Sequence, residues 1–192
     1  ICDMVGLEKK IIMEKIFLQS SNLIKESITL IPEIEKVVQI VINCIKHGNK
    51  IIVFGNGGSA AIASHASIDF TKAAKIRSIN FNESSLITCL SNDYGYEHWA
   101  EKAIEFYADK NDLVILISSS GQSKNIINAA LKTKGMNIPL ATLSGFSLDN
   151  ELRTLGDINL WVDSSKYNIV ETVHQTWVLS VIDYLIENEK NI

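Results

Sequence analysis

Several things are scarce in this chain of 192 residues, and each scarcity closes off a class of protein. Cysteine occurs three times, at Cys2, Cys44 and Cys89, an odd and unpatterned set that argues against a disulfide framework or a zinc ribbon and for reduced, buried thiols in a cytoplasmic protein. Basic charge is not in excess. The formal net charge is −4, and no basic stripe is interleaved with aromatics, so no nucleic-acid footprint is expected. Lys72, Lys75 and Arg77 read as a solvated helix end. No apolar run approaches the ~18 residues of a membrane span and no signal peptide is visible, so no membrane partner is expected. There is no Gly-Lys-Ser/Thr of a Walker loop. Gly55-x-Gly57-Gly58 also lacks the third glycine and the later acidic residue of a dinucleotide fingerprint, which leaves no nucleotide cofactor.

Hydrophobic residues make up 46% of the chain and charged residues 21%, a globular composition, and the length suits a single domain over 1–192 with a full core. Two helices are expected first, over about 7–48. Leu7, Ile11, Ile12, Ile16, Leu18 and Leu23 recur at helical spacing up to Ser27. A second run goes from Pro32 through Ile34, Val37, Val38, Val41, Ile42 and Ile45 to Gly48 as its stop. From about 50 to 190 short apolar strands alternate with helices. The strands are expected at Ile51–Phe54, Arg77–Phe81, Leu113–Ser118, Leu140–Leu143 and Ile158–Val162. The helices are expected at Ser59–Ala73, Ser84–Ser91, Glu97–Phe106, Ser123–Lys134, Leu148–Leu155 and Asn168–Glu189. This alternation predicts an α/β fold with a parallel sheet covered on both faces. The N-terminal helices are too apolar to stand alone, which predicts an oligomer.

Ligands of such sheets sit at the carboxyl ends of the strands. Two turns lie there. Ile51-Ile52-Val53-Phe54 runs into Gly55-Asn56-Gly57-Gly58-Ser59, and Leu113-Val114-Ile115-Leu116-Ile117 runs into Ser118-Ser119-Ser120-Gly121-Gln122-Ser123. Glycines and helix starts free backbone N–H groups for an anion, and hydroxyls add donors without lysine or arginine. A plain glycine turn would account for the first motif and a serine N-cap for one hydroxyl of the second. Four serines in one turn exceed what capping needs. Two such turns can converge on one phosphate-bearing ligand.

The series Phe54-Gly-Asn-Gly-Gly-Ser-Ala-Ala, His65, Ser91-Asn92-Asp93-Tyr94-Gly95-Tyr96, Ile117-Ser-Ser-Ser-Gly-Gln-Ser and Leu143-Ser-Gly resembles the sugar isomerase (SIS) domain family, and within it the phosphoheptose isomerases. The similarity covers most of the chain in order and spacing. It implies a three-layer αβα sandwich on a central parallel five-stranded sheet, the flavodoxin-like SIS fold, preceded by the N-terminal helix pair. It implies a cytoplasmic homotetramer whose sites draw on neighbouring subunits. It implies interconversion of a ketose and an aldose phosphate, sedoheptulose 7-phosphate to the aldose heptose 7-phosphate, for cell-surface polysaccharide synthesis. By resemblance Ser59, Ser118, Ser119, Ser120 and Ser123 hold the phosphate beside Gly57 and Gly58, and Asn56 and Asp93 hold sugar hydroxyls.

The family's proton-transfer and zinc residues map less completely. Its His and Glu four residues apart correspond here to His65 and Asp69. Its Gln-Glu-x-His with a later histidine corresponds to Glu171 and His174, with Leu179 at the second histidine, which can neither ligate a metal nor move a proton, and Asn168 where an acid is usual. The resemblance leaves Glu171 or Asp69 as base and His174 or His65 as partner acid. It also leaves His65, Asp69 and Glu171 as a possible three-ligand zinc set. Bland readings stand beside these: Glu171 as a solvated helix carboxylate, His174 and His65 as packing histidines, and Asp69 as an exposed acid near Lys72. His47 suits a helix end, His98 lies beside Trp99, and Cys89 reads as buried packing in an apolar helix. Two other readings are a non-catalytic phosphosugar-binding module, which the missing histidine would suit, and an isomerase of a different sugar phosphate.

Overall fold

The computed structural model describes residues 2–188, with side chains from Lys10 onward. Helix α1 (Cys2–Glu26) passes through a short 3-10 turn, Ser27–Leu30, into α2 (Ile31–Lys46), which carries Pro32 in its first turn, where no intrahelical N–H is needed. Past α2 the chain turns at Gly48, whose φ of +70° suits a residue without a side chain. Five strands then alternate with helices: β1 (Ile51–Gly55), α3 (Gly58–Lys72), β2 (Ser78–Ile79), α4 (Ser84–Tyr94), α5 (Trp99–Tyr107), β3 (Leu113–Ser118), α6 (Lys124–Gly135), β4 (Leu140–Ser144), β5 (Ile158–Trp161) and α7 (Tyr167–Glu187).

The strands form one parallel sheet in the order β2-β1-β3-β4-β5. Every residue of β1, β3 and β4 is buried, as expected of a sheet covered on both faces. Side chains of period two feed two cores. Val53 and Ile115 join Val41, Phe70, Val173 and Trp177 under α2, α3 and α7. Phe54 and Leu116 join Trp99, Ile104 and Ile126 under α5 and α6. Strand order reverses direction between β1 and β3, so the two turns singled out in the sequence flank the switch point of the sheet.

The observed elements differ from expectation in a few places. The edge strand shrinks from Arg77–Phe81 to Ser78–Ile79, and Phe81 packs into the core beside Phe54. The helix after it continues to Tyr94, capped at its start by the Glu83 carboxylate on the N–H groups of Ser85 and Leu86. In place of a helix over Leu148–Leu155 there is only a 3-10 turn, Leu152–Thr154. Buried Asn150 explains this: its amide donates to the Ser147 carbonyl (2.8 Å), the Gly145 carbonyl (3.2 Å) and the Ser144 hydroxyl (3.1 Å), pinning the loop instead of letting it coil. The last helix begins at Tyr167, and the expected end at Glu189 lies outside the described residues. Cys44 is buried, as expected, but Cys89 is exposed: α4 turns Leu90 to the core and Cys89 outward, towards Asp93.

Candidate active site

The glycine turn is tight enough to require its residues. A Cβ on Gly55 would fall onto the backbone of Ser59, and Gly57 takes a φ of +54° just before α3. The serine turn is built the same way. Gly121 has a φ of +65°, and a Cβ there would run into the Asn150 side chain from the loop after β4. That loop ties to the turn twice more, Gly145 N–H donating to the Ser119 carbonyl (3.0 Å) and Leu152 N–H to the Gly121 carbonyl (3.1 Å).

Between the turns is a cleft of about 90 Å³ lined by Asn56, Ser59, Ile117, Ser118, Ser119, Ser120, Ser123, Tyr167 and Glu171. Helices α3 and α6 both start at it. Neither first turn is capped by a side-chain hydrogen bond or contains an acid, so the leading N–H groups are available to an anion. The Ser118 hydroxyl donates to the Ser123 hydroxyl at 3.2 Å, and Ser120 Oγ accepts from the Gln122 N–H at 3.2 Å. Ser119 Oγ is buried with no partner at all. A buried hydroxyl with nothing to bond costs stability, and at the wall of this cleft it is a donor that a bound anion would satisfy. Among the described residues no lysine or arginine lines the cleft.

The third wall comes from α7. Glu171 brings its carboxylate against Gly58 in the first turn of α3, where any side chain at 58 would displace it. It is the one carboxylate among the lining residues. Tyr167, four residues earlier on the same face, stands at the mouth with its ring edge-on to Phe146, 4.8 Å between centroids. So Asn56, Ser59, Ser118, Ser119, Ser120, Ser123 and Glu171 line one cleft, with Gly57 and Gly58 shaping the turn.

Others do not join them within the chain. Asp93 lies in the last turn of α4, exposed, with its carboxylate near Asn92 and Cys89. His174 is fully buried behind β4. Its Nε2 is 3.0 Å from the Ser144 carbonyl, to which it donates; its Nδ1 has no partner, and its ring packs beside Trp177. Burial lowers its pKa to about 4, outweighing the Ser144 bond, so it is neutral and faces away from the cleft. His65 and Asp69 sit further along α3, paired Nε2 to Oδ2 at 3.0 Å, with Gln175 Nε2 3.1 Å from His65 Nδ1. Both imidazole nitrogens are thus engaged, and no group of three His, Cys, Asp or Glu side chains able to share a metal occurs among the described residues. His65, Asp69 and Glu171 therefore do not fit a zinc ion as this chain arranges them, and no chemistry is assigned to one.

Three residues at or beside the cleft had no role assigned from the sequence. Tyr167 opens a helix without any motif. Asn125, in the first turn of α6, exchanges two 2.9 Å hydrogen bonds with Asn56, and the Tyr96 hydroxyl reaches Asn56 Oδ1 at 3.4 Å. Tyr96 stood in the quoted motif without a role, and only the fold brings Asn125 to Asn56.

A five-stranded sheet of this order, with an anion cradle of hydroxyls and backbone N–H groups at its switch point, defines an open α/β protein built to hold an acidic small molecule. The chain belongs to the SIS domain family, whose model matches residues 16–145. It is 31% identical over 187 residues to the phosphoheptose isomerase of Aliarcobacter butzleri, covering 94% of this chain and 98% of that one. Over 167 residues it is 34% identical to the phosphoheptose isomerase of Helicobacter hepaticus, 84% of each. The solved phosphoheptose isomerase of Neisseria gonorrhoeae has the same fold, with a TM-score of 0.85 at 23% identity, covering 93% of this chain and 99% of that one.

Proposed function

We propose that the protein is an aldose–ketose isomerase of a sugar phosphate, converting sedoheptulose 7-phosphate to D-glycero-D-manno-heptose 7-phosphate. The observation that carries this reading is a carboxylate, Glu171, facing a phosphate cradle across one cleft. The serine turn and the start of α6 take the phosphate, and the glycine turn with Asn56 takes sugar hydroxyls. Glu171 removes the proton from C1, next to the C2 carbonyl, leaving an enediolate; a proton passes from the C1 hydroxyl to O2, and Glu171 returns its proton to C2, which leaves the aldehyde at C1. A carboxylate suits both steps because it is regenerated by the second. Relatives named phosphoheptose isomerase over nearly the full length support the substrate.

The same reading makes the protein a cytoplasmic homo-oligomer, a tetramer, supplying heptose for cell-surface polysaccharide. Exposed Ile12, Met13, Phe17 and Leu18 on α1 favour association of copies. Among the described residues no helix is long and apolar enough to cross a membrane.

The test is incubation with sedoheptulose 7-phosphate in D₂O, followed by NMR, with and without a chelator. Formation of the aldose with deuterium entering at C2 is the expected result. Phosphate-dependent binding with neither turnover nor exchange would sink the isomerase and mark a binding protein.

A further inference from the structure

Asn56 directly follows β1 and Asn125 lies in the first turn of α6, 69 residues apart in sequence. Each donates its Nδ2 to the other's Oδ1 at 2.9 Å, a closed pair of hydrogen bonds between two planar amides. Asn56 lines the cleft; Asn125 does not, and is only 3% exposed. The pair is therefore a side-chain bridge across the switch point, joining the glycine turn after β1 to the helix start that follows the serine turn. Whichever way the amides face, the pair consumes one N–H and one lone pair of each, so Asn56 keeps one donor and one acceptor site. The Tyr96 hydroxyl approaches that remaining capacity on Oδ1 at 3.4 Å. Packing alone would be served by two apolar side chains, which need no partner.

We propose that Asn125 is a positioning residue: acting through Asn56, it fixes the plane of that amide and the gap between the two turns, and so selects sugar phosphates long enough to touch both. The proposal rests on the phosphosugar reading of the cleft. A ligand held only by the serine turn does not sense the gap, whereas a sugar phosphate held at both ends does. Misplacement of about 1 Å in such an arrangement costs on the order of 100-fold in rate.

The experiment compares wild type, N125A, N56A and the double variant for kcat and KM with sedoheptulose 7-phosphate and for Kd with inorganic phosphate. Alongside these, the Asn56 side-chain amide is followed by ¹H–¹⁵N NMR. N125L, close to asparagine in shape, replaces N125A if the alanine variant does not fold. The expected result is a fall of about 10- to 100-fold in kcat/KM for N125A, with Kd for inorganic phosphate within about two-fold of wild type. The Asn56 amide protons should exchange faster with water, and N125A should cost nothing further on the N56A background. Unchanged kcat/KM, a parallel loss of phosphate affinity, or an equal loss on the N56A background would overturn the proposal. If the wild type does not turn the sugar over, the isomerase reading fails on its own. The clamp is then judged on binding: an advantage of the sugar phosphate over inorganic phosphate that N125A abolishes sustains it, and one that N125A leaves intact overturns it.

Discussion

The carboxylate of Glu171 rests against the α-carbon of Gly58, so a single methyl group at position 58 would take its place. The carboxylate thus stands at the start of α3 without being part of that helix. Replacing Glu171 with Gln keeps the shape and removes the base. We expect E171Q to lower kcat by about 10²- to 10⁴-fold, with Kd for the sugar phosphate nearly unchanged. G58A should lower kcat in the same direction by displacing the carboxylate, with the phosphate cradle left whole. Steady-state kinetics with calorimetric binding would check both, and full activity in E171Q would remove Glu171 from the chemistry.

Ser119 presents a hydroxyl that is buried and bonded to nothing. S119A should therefore leave thermal stability equal to or above wild type while weakening inorganic phosphate binding by about ten-fold, the worth of one hydrogen bond to a charged group. A drop in both would mean the hydroxyl supports the fold instead of the ligand.

Gly121 has a left-handed backbone and Asn150 beside it. An alanine there must be strained and must push Asn150 from its three bonds. G121A should destabilise the protein by about 2–3 kcal/mol in urea unfolding, and weaken phosphate binding with it.

His174 gives the protein an acid limit. Its folded pKa is about 4, depressed by burial below the ordinary value of 6.5. The unfolded chain takes up a proton below about pH 6.5 and the folded one only near 4. The penalty is absent above pH 6.5 and grows as pH falls to 4, reaching about 3 kcal/mol. H174Q, which keeps a donor for the Ser144 carbonyl, should flatten the stability curve in that window. Asp112 acts lower. Burial opposes its ionisation, but the Lys50 ammonium and the N–H groups of Asp109 and Lys50 outweigh this and hold its pKa down, so its contribution is lost only below about pH 4. A stability curve as steep in H174Q as in wild type would refute the assignment.

The two described thiols should differ. Burial pushes the Cys44 thiol up and closes it to reagents, whereas Cys89 is open. Alkylation of the native protein followed by peptide mass spectrometry should label Cys89 and spare Cys44.

Strands and turns were legible because their signals are local: a strand must be apolar, and Gly55 and Gly121 must be glycine where the chain folds back on itself. The α7 wall was only half legible. Glu171 and His174 are three residues apart, which reads as one helix face, yet they stand about 60° apart around the axis. Because α7 is buried among other elements, that angle sends one side chain to the cleft and the other behind Ser144. Cys89 was misread because α4 carries Leu86, Ile87 and Leu90, yet among its residues only Leu90 is fully buried. Asn125 and Tyr167 owe their places to contacts made across the fold, which no local pattern announces.

The cradle of hydroxyls and backbone N–H groups has a consequence for the conditions under which it works. A site that recruits phosphate with lysine or arginine loses affinity steeply as salt screens the charges. Among the described residues no cation lines this cleft, and with a net charge of −4 there is little long-range attraction to screen. Recognition instead depends on short, directional contacts made after water has been stripped from the anion, so salt tolerance and selectivity for the shape of the ligand arise from the same lack of a cation.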